Sequence, residues 1–316
     1  MLINVDGAVR RLPDFLIVGA AKSGTTSLYY YLRQHPALFF SDLKEPGYLC
    51  FSGMTRPIVQ NGLPDMWRAA VIDLETYADL FARAPDNVRM GEATPEYLLL
   101  SARTVGNIRR LYGDSAKQMR FIAILRNPVE RIWSHYWMML RDGYENRSFD
   151  DATSPQTIAS RLAGGWHPAY DYVGYGLYGR QMKDYYDAFG ADRVAVVLFD
   201  DLARDAGETC TRLFRFLKVD ASVSPEVSVQ HNPSGALRYS ALHRVLFTRE
   251  TAAKQLARRL VAHERLQGIK SAIIRWNSQR VEMPAATRER LNALYADEVA
   301  SVGRLIGRDL SHWLRA

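Results

Sequence analysis

"FLIVGAAKSGTTSLYY", residues 15–30, is the stretch that decides the fold of this chain. Residues 15–20 are an apolar run that ends near Gly19, as in a buried strand. Residues 25–34 then show helical spacing, and His35-Pro36 ends the helix. A strand, a glycine-containing loop and a helix in this order form the repeating unit of parallel α/β sheets.

The loop between this strand and helix has the chemistry of an anion site. A nucleoside-triphosphatase loop carries its lysine after the second glycine, whereas Lys22 comes two residues before Gly24. Gly19 and Gly24 permit a tight turn that aims several N–H groups at one anion, and the helix start adds its positive end. Three hydroxyl residues supply further donors: Ser23, Thr25 and Thr26. The alternative is an ordinary strand–helix turn.

Two further strand–helix units follow along the chain. Residues 120–140 contain an apolar strand ending at Leu125, and Asn127-Pro128 is a typical helix start. Residues 193–205 repeat the pattern, with a helix beginning at Asp200-Asp201. Three such units predict an α/β fold with a mostly parallel central sheet flanked by helices.

The C-terminal third has a different composition. Residues 238–282 show helical periodicity and are strongly basic, with Glu250 and Glu264 as the main acids, and residues 284–305 form another helix. We expect one domain over residues 1–316, with 238–316 as a mostly helical elaboration. The basic segment is either a solvated helical face, a guide for an anionic acceptor or a lid.

Composition bounds the partners and the compartment. The 316-residue chain has a net charge of +7 and a pI of about 9.4, which favours anionic ligands. Cys50 and Cys210 are far apart and have no metal-site spacing. We expect no signal peptide, no stable membrane insertion and a cytoplasmic location.

A second anion subsite is predicted at the end of the second strand. Ligands of open α/β sheets bind at the carboxyl ends of the strands, where Arg126 lies. Ser134 follows two helical turns later, and a guanidinium with a hydroxyl can hold one phosphate. The alternative is that Arg126 pairs with Glu130 or Asp142.

These motifs together resemble the sulfotransferases that use PAPS (3′-phosphoadenosine 5′-phosphosulfate). "AAKSGTTSLYYYL", residues 20–32, is similar to their 5′-phosphosulfate loop, and "RNPVERIWSHYW", residues 126–137, to their 3′-phosphate motif. "HNPSG", residues 231–235, resembles a loop that closes over the cofactor. The resemblance implies a P-loop-like three-layer sandwich that binds PAPS, releases PAP and needs no metal.

Within this family the chain resembles the bacterial and heparan-sulfate-type branch. The evidence is "HPALFFSDLKEPGYL", residues 35–49, and "GEATPEYL", residues 91–98. The resemblance implies that Glu45 is the base that activates the acceptor. Ala93 departs from the pattern, because the heparan-type enzymes often carry a substrate-contacting lysine there.

The resemblance also implies roles for the donor-site residues. Lys22 would neutralise charge on the bridging oxygen, the loop would hold the 5′-phosphate, and Arg126 with Ser134 would hold the 3′-phosphate. The residues predicted to bind the cofactor are Lys22, Ser23, Gly24, Thr25, Thr26, Arg126, Ser134, Asn232, Ser234, Gly235 and Arg238.

The identity of the base has alternatives. Glu45 could instead form a salt bridge, for example with Lys44. Glu92 is the next candidate base, although it also suits a structural role at the end of a strand. His135 lies on a helix rich in aromatic residues and suits a structural role, and His231 is a further candidate.

The sequence therefore predicts transfer of a sulfuryl group from PAPS to a hydroxyl or amine of a carbohydrate, lipid or secondary metabolite. The acceptor could be a small molecule, a glycan or a lipid, either anionic or bound to a carrier, and nucleic acid is not expected. Two other functions compete: a P-loop nucleotide kinase and a non-catalytic basic binding protein. The position of Lys22, together with Arg126 and Ser134, disfavours the kinase.

Overall fold

The computed structural model describes residues 1–54, 70–228, 236–237, 278–279 and 281–315. The candidate cofactor residues Asn232, Ser234, Gly235 and Arg238 lie outside these ranges, as do His231 and most of the basic segment.

A five-stranded parallel sheet forms the centre of the molecule. Its strands lie in the order β4–β5–β3–β6–β7, and every neighbouring pair is parallel. The strands are β3 (Phe15–Gly19), β4 (Leu38–Phe40), β5 (Arg89–Ala93), β6 (Arg120–Leu125) and β7 (Val194–Leu198). The predicted parallel sheet is confirmed, and β3 occupies its middle.

Helices cover both faces of this sheet. The helices of the first half are α1 (Thr25–Leu32), α2 (Tyr48–Phe51), α3 (Leu74–Asp79), α4 (Glu96–Leu99), α5 (Ser101–Tyr112) and α6 (Pro128–Arg141). Those of the second half are α7 (Phe149–Ala152), α8 (Pro155–Ala163), α9 (Tyr178–Phe189), α10 (Phe199–Arg204), α11 (Ala206–Leu217) and α12 (Ala285–Ile306).

Alternation along the central strands separates two hydrophobic cores. Phe15 and Ile17 of β3 pack on one face with residues of α1 and α11. Leu16 and Val18 pack on the other face with residues of α5, α6 and α9. Because successive side chains of a strand point to opposite faces, one continuous apolar run fills both cores. This arrangement gives the expected three-layer α/β/α sandwich.

The start of α6 shows why the second predicted unit forms. Asn127 caps the helix, since its side chain accepts hydrogen bonds from Val129 N at 2.9 Å and Glu130 N at 3.4 Å. Pro128 occupies the first helical position, where a missing N–H does no harm. These two residues end β6 and start α6 within three positions, so Arg126 is held at the carboxyl end of β6.

Two antiparallel pairs complete the described structure. β1 (Leu2–Val5) and β2 (Ala8–Arg11) form an N-terminal hairpin that the sequence analysis did not predict. β8 (Ala236–Leu237) pairs with β9 (Ser278–Gln279), so the chain on either side of residues 238–277 is brought together.

Candidate active site

A cavity of about 300 Å³ lies at the carboxyl ends of β3 and β6. Loops that follow β3, β4, β5 and β6 all contribute to its wall. The residues that line it include Lys22, Gly24, Thr25, Thr26, Glu45, Glu96, Arg126, His135, Met138, Met139, Ala169, Tyr175 and Phe199. The structure therefore brings the predicted loop, Arg126 and Glu45 into one site.

The loop after β3 presents a helix start to this cavity. Gly24 has φ 100°, a left-handed conformation that favours glycine, and it is the N-cap of α1. The first helical hydrogen bond runs from Leu28 N to Gly24 O at 3.0 Å. The amides before Leu28 thus have no acceptor inside the helix, which is the arrangement that binds anions. Thr25 and Thr26 line the cavity beside them.

Ser23 does not reach the cavity. It is completely buried, and its N–H donates to Ala20 O at 3.3 Å within the turn. Its side chain is not among those that line the cavity. The sequence pattern of alternating small polar residues cannot distinguish the two sides of such a turn.

Lys22 is the cation of the loop. Its backbone adopts φ 64°, in the left-handed region that non-glycine residues rarely occupy, and its side chain is half-buried in the cavity wall. Burial, with a smaller contribution from Arg141, lowers the pKa of the Lys22 ammonium from 10.5 to about 8. Among the described residues none accepts a hydrogen bond from this ammonium, so it is available to an anion.

Arg126 joins the loop to the second strand–helix unit. Its Nη1 donates to Lys22 O at 3.1 Å, and its guanidinium lies 4.8 Å from the centre of the Phe199 ring. Burial lowers the pKa of Arg126 from its usual 12.5. A guanidinium stays protonated even so, and it has donors to spare. Arg126 is thus held in place at one edge and presents the rest of its fork to the site.

The predicted alternative partners of Arg126 are weak or occupied. Glu130 Oε2 lies 3.9 Å from Arg126 Nη2, while Glu130 Oε1 accepts a closer bond, 2.8 Å, from Arg288. Asp142 pairs with its neighbour Arg141 at 2.7 Å. Neither of the two predicted carboxylates therefore forms a close ion pair with Arg126.

A second cavity, of about 760 Å³, adjoins the first at Arg126 and Phe199, which line both. Ser134 lines this second cavity together with Trp133 and Trp137. Arg126 and Ser134 thus line the same second cavity, and Arg126 also lines the first. The two adjoining cavities therefore share one guanidinium, that of Arg126.

Glu45 extends from the loop after β4. It has φ 62°, and its backbone N–H donates to Ala93 O at 3.2 Å, which ties this loop to the end of β5. Its carboxylate lines the cavity and pairs with Lys44. The structure therefore contains both features that the sequence left open, a salt bridge and a place in the site.

Glu92, the second candidate base, is not among the residues that line the cavity. Its side chain is 1% exposed and accepts hydrogen bonds from Tyr77 and Tyr97 hydroxyls at 2.6 Å each and from Thr94 Oγ1 at 2.8 Å. Burial raises the pKa of Glu92 from 4.5 to about 7 in spite of these three donors. This placement fits the structural alternative for Glu92.

We expect Glu92→Gln to reveal this buried carboxyl through the pH dependence of stability. The folded protein binds the Glu92 proton more tightly than the unfolded chain, so this contribution is present below pH 4.5 and is lost as the pH rises through 7. Glutamine does not titrate. Between pH 5 and pH 8 the unfolding free energy of wild type should therefore fall by about 2–3 kcal/mol relative to the variant.

Urea unfolding of both proteins at the two pH values measures this difference. Glu75→Gln, which changes an exposed carboxylate, is the control. A Glu92→Gln offset that does not change with pH would contradict the buried, titrating carboxyl.

His135 lines the cavity as a neutral donor. Arg131 Nη1 lies 3.3 Å from His135 Nδ1, and a guanidinium can only donate, so Nδ1 accepts and the ring proton is on Nε2. Burial, then the charges of Arg131 and Lys22, lower the pKa of His135 well below 6.5. Such an imidazole is unsuited to accept a proton at neutral pH.

Glu96, which was not predicted as a site residue, lines the cavity together with Tyr175 of the tyrosine-rich stretch 170–186. Glu96 is 6% exposed and accepts a hydrogen bond from the Tyr175 hydroxyl at 2.9 Å. Burial and the neighbouring charge of Glu45 raise the pKa of Glu96 to about 7. In the sequence Glu96 looks like an ordinary acid at a helix start, so it carried no signal of its own.

Comparison with known proteins identifies the family of this chain. The model described as "Sulfotransferase family" matches residues 13–223. The crystal structure of a sulfotransferase from Alicyclobacillus acidocaldarius is similar over 96% of this chain and all of its own, with 28% identity and a TM-score of 0.74. This agreement covers the sheet, the loop after β3 and the Arg126 region.

Curated relatives are similar over shorter stretches. Carbohydrate sulfotransferase 15 of Homo sapiens is 25% identical over 257 residues, 67% of this chain and 44% of that protein. Membrane-associated sulfotransferase kil1 of Dictyostelium discoideum is 33% identical over 147 residues, 46% of this chain and 27% of that protein. The chain thus spans less than half the length of these relatives.

The second of these relatives corrects the expected location. A protein named as membrane-associated is among the matches, so the prediction of a cytoplasmic protein is wrong. The sequence features used for that prediction, a charged first segment and few cysteines, do not exclude association with a membrane. In the part of the chain that the structure describes, no helix is both long and apolar enough to cross a bilayer.

Proposed function

The chain belongs to the sulfotransferase family, and from this premise we propose that it transfers a sulfuryl group from PAPS to a hydroxyl or amine of an acceptor. One observation supports the donor above all. Arg126 lines both adjoining cavities and donates to the backbone of Lys22, so the chain offers two linked anion subsites. PAPS carries two separate phosphates, which suit such a pair.

The donor groups fit the charge of this molecule. The start of α1 and the Lys22 ammonium would hold the 5′-phosphosulfate, and Arg126 with Ser134 would hold the 3′-phosphate. Phe199 lies between the two cavities and offers an apolar ring face beside the guanidinium. PAPS, when bound, supplies the activated sulfuryl group.

Lys22 is proposed to act on the leaving side of the reaction. Transfer of a sulfuryl group resembles phosphoryl transfer, in which positioning and charge stabilisation do most of the catalytic work. The Lys22 ammonium would stabilise the negative charge that grows on the bridging oxygen. It needs no movement to do so, since the left-handed backbone already places it in the cavity.

Glu45 is proposed to accept the acceptor proton. It lines the same cavity, and its partner Lys44 orients its carboxylate. His135 would instead donate its Nε2 proton, to an oxygen of the acceptor or of the sulfuryl group. Acceptors of the carbohydrate, lipid or secondary-metabolite class remain the proposed substrates. We further propose that residues 1–316 act as one domain.

Calorimetric titration of PAP, ADP and ATP into the wild-type protein tests the donor. PAP and ADP share the adenosine and the 5′-phosphate, and only PAP has a 3′-phosphate. We expect PAP to bind at least about a hundredfold more tightly than ADP or ATP, because Arg126 and Ser134 meet only the 3′-phosphate. Equal affinities would favour a nucleotide kinase, and binding of none would favour a non-catalytic protein.

A further inference from the structure

The cavity contains a second carboxyl whose surroundings differ from those of a structural one. Glu92 and Glu96 are both buried and lie four residues apart. Three hydroxyls donate to Glu92, which lies away from the cavity. Among the described residues the only side chain that donates to Glu96 is Tyr175, and Glu96 lines the cavity.

This difference points to a missing donor at Glu96. A buried carboxyl that lacks hydrogen-bond partners destabilises the fold, and the protein meets this cost at Glu92 with three hydroxyls. At Glu96 it supplies one hydroxyl and the backbone N–H of Glu96 itself, and it adds the repulsion of Glu45 in the same cavity. The remaining hydrogen-bonding capacity of Glu96 is directed to whatever occupies the cavity.

The charge around Glu96 restricts the class of that occupant. Lys44 pairs with Glu45, and Lys22 and Arg126 lie on the donor side of the cavity. Among the described residues no cation pairs with Glu96. An acceptor with a carboxylate or sulfate next to its reacting group would face this carboxyl without compensation. A hydroxyl or an ammonium would instead donate to it.

We infer that Glu96 is an acceptor-recognition residue, which holds a hydroxyl or ammonium of the acceptor adjacent to the group that Glu45 deprotonates. The inference rests on the proposed function. It assigns the acceptor to the class of vicinal diols and amino alcohols that carry no anionic group at this position. Met138, Met139 and Ala169 line the same cavity, so an apolar extension of the acceptor would find contacts there.

Three matched probes test this assignment: a vicinal octanediol, the corresponding amino alcohol and the corresponding hydroxy acid. They share the alkyl chain and one hydroxyl and differ only in the neighbouring group. Their affinities are measured by calorimetry on PAP-saturated protein at neutral pH. We expect wild type to bind the diol and the amino alcohol at least about tenfold more tightly than the hydroxy acid.

Glu96→Gln keeps the size of the side chain but cannot ionise. We expect this variant to bind the amino alcohol about tenfold more weakly and to lose most of the discrimination against the hydroxy acid. Glu298→Gln, which alters a half-buried carboxyl that accepts from Gly179 N outside the cavity, is the matched control and should preserve the wild-type ranking. Circular dichroism and PAP affinity confirm that each variant is folded.

Two results would overturn the inference: the same ranking of the probes in wild type and Glu96→Gln, or no binding of the diol and amino alcohol to wild type. PAP affinity, measured first, separates this failure from that of the proposed function. A wild type that does not bind PAP contradicts both. A wild type that binds PAP but ranks the probes independently of Glu96 contradicts the inference alone.

Discussion

Replacing Lys22 with alanine is expected to lower the rate of sulfuryl transfer by about a thousandfold, while PAPS binding weakens by only about tenfold. The ammonium lies in the cavity wall, and no carboxylate of the described residues pairs with it, so its charge can act on a bound anion. The charge on the bridging oxygen is larger in the transition state than in bound PAPS. Loss of the Lys22 ammonium should therefore lower mainly the turnover number.

Release of sulfate from PAPS, with water as the acceptor, gives this rate without knowledge of the natural acceptor. Lys183→Ala, at an exposed lysine that pairs with Asp187, is the matched control and should keep full activity. Equal losses of PAPS affinity and turnover would contradict the role of Lys22 in the transition state, since they would indicate uniform binding.

The same lysine gives the reaction a pH limit. Because the pKa of Lys22 is lowered to about 8, kcat/KM for PAPS should fall as the pH rises through this value and the ammonium loses its proton. A bound phosphosulfate favours the charged form, so the corresponding limb of kcat should lie at higher pH. Lys22→Arg should move the kcat/KM limb upward and out of this range.

Arg126→Ala is expected to weaken PAP binding by about a hundredfold or more and to leave ADP binding nearly unchanged. The guanidinium faces the cavity that Ser134 lines, and only a 3′-phosphate would use it there. The small loss of ADP affinity that remains would come from the missing hydrogen bond between Arg126 Nη1 and Lys22 O, which is 3.1 Å long in wild type. Calorimetry with both nucleotides measures the two effects in one protein.

Arg126→Lys tests the geometry of this contact. A lysine keeps the charge but loses the planar fork, so PAP affinity should recover only in part. Arg147→Ala, which removes an exposed arginine paired with Asp151, is the control for charge alone. If Arg126→Ala weakened PAP and ADP equally, the subsite for the 3′-phosphate would be wrong.

The parts of this fold that were predicted from the sequence depend on local rules. Gly24 before Thr25 and Asn127 before Pro128 are signals that act within a few residues, and both helices start where those signals place them. The hairpin of β1 and β2 had a comparable signal in Asp6-Gly7, a pair typical of tight hairpin turns. The sequence analysis did not use it.

The remaining features depend on contacts that are distant in sequence. Ser23 and Thr25 have similar chemistry and are both buried, and only the packing of the loop decides that Thr25 lines the cavity and Ser23 does not. Likewise Glu92 differs from Glu96 because of tyrosines far along the chain, such as Tyr77 and Tyr175. No spacing rule in the sequence contains these pairings.

Lys22 and Glu45 share a conformation that has a consequence for the evolution of the protein. Both non-glycine residues have φ near 60°, a region in which an L-residue costs roughly 1–2 kcal/mol relative to glycine. At these two positions the residue that is best for folding differs from the residue that the proposed chemistry needs. Selection for thermal stability alone would therefore favour glycine at both positions. The resulting thermostable variants would keep the α/β/α fold but lose catalysis.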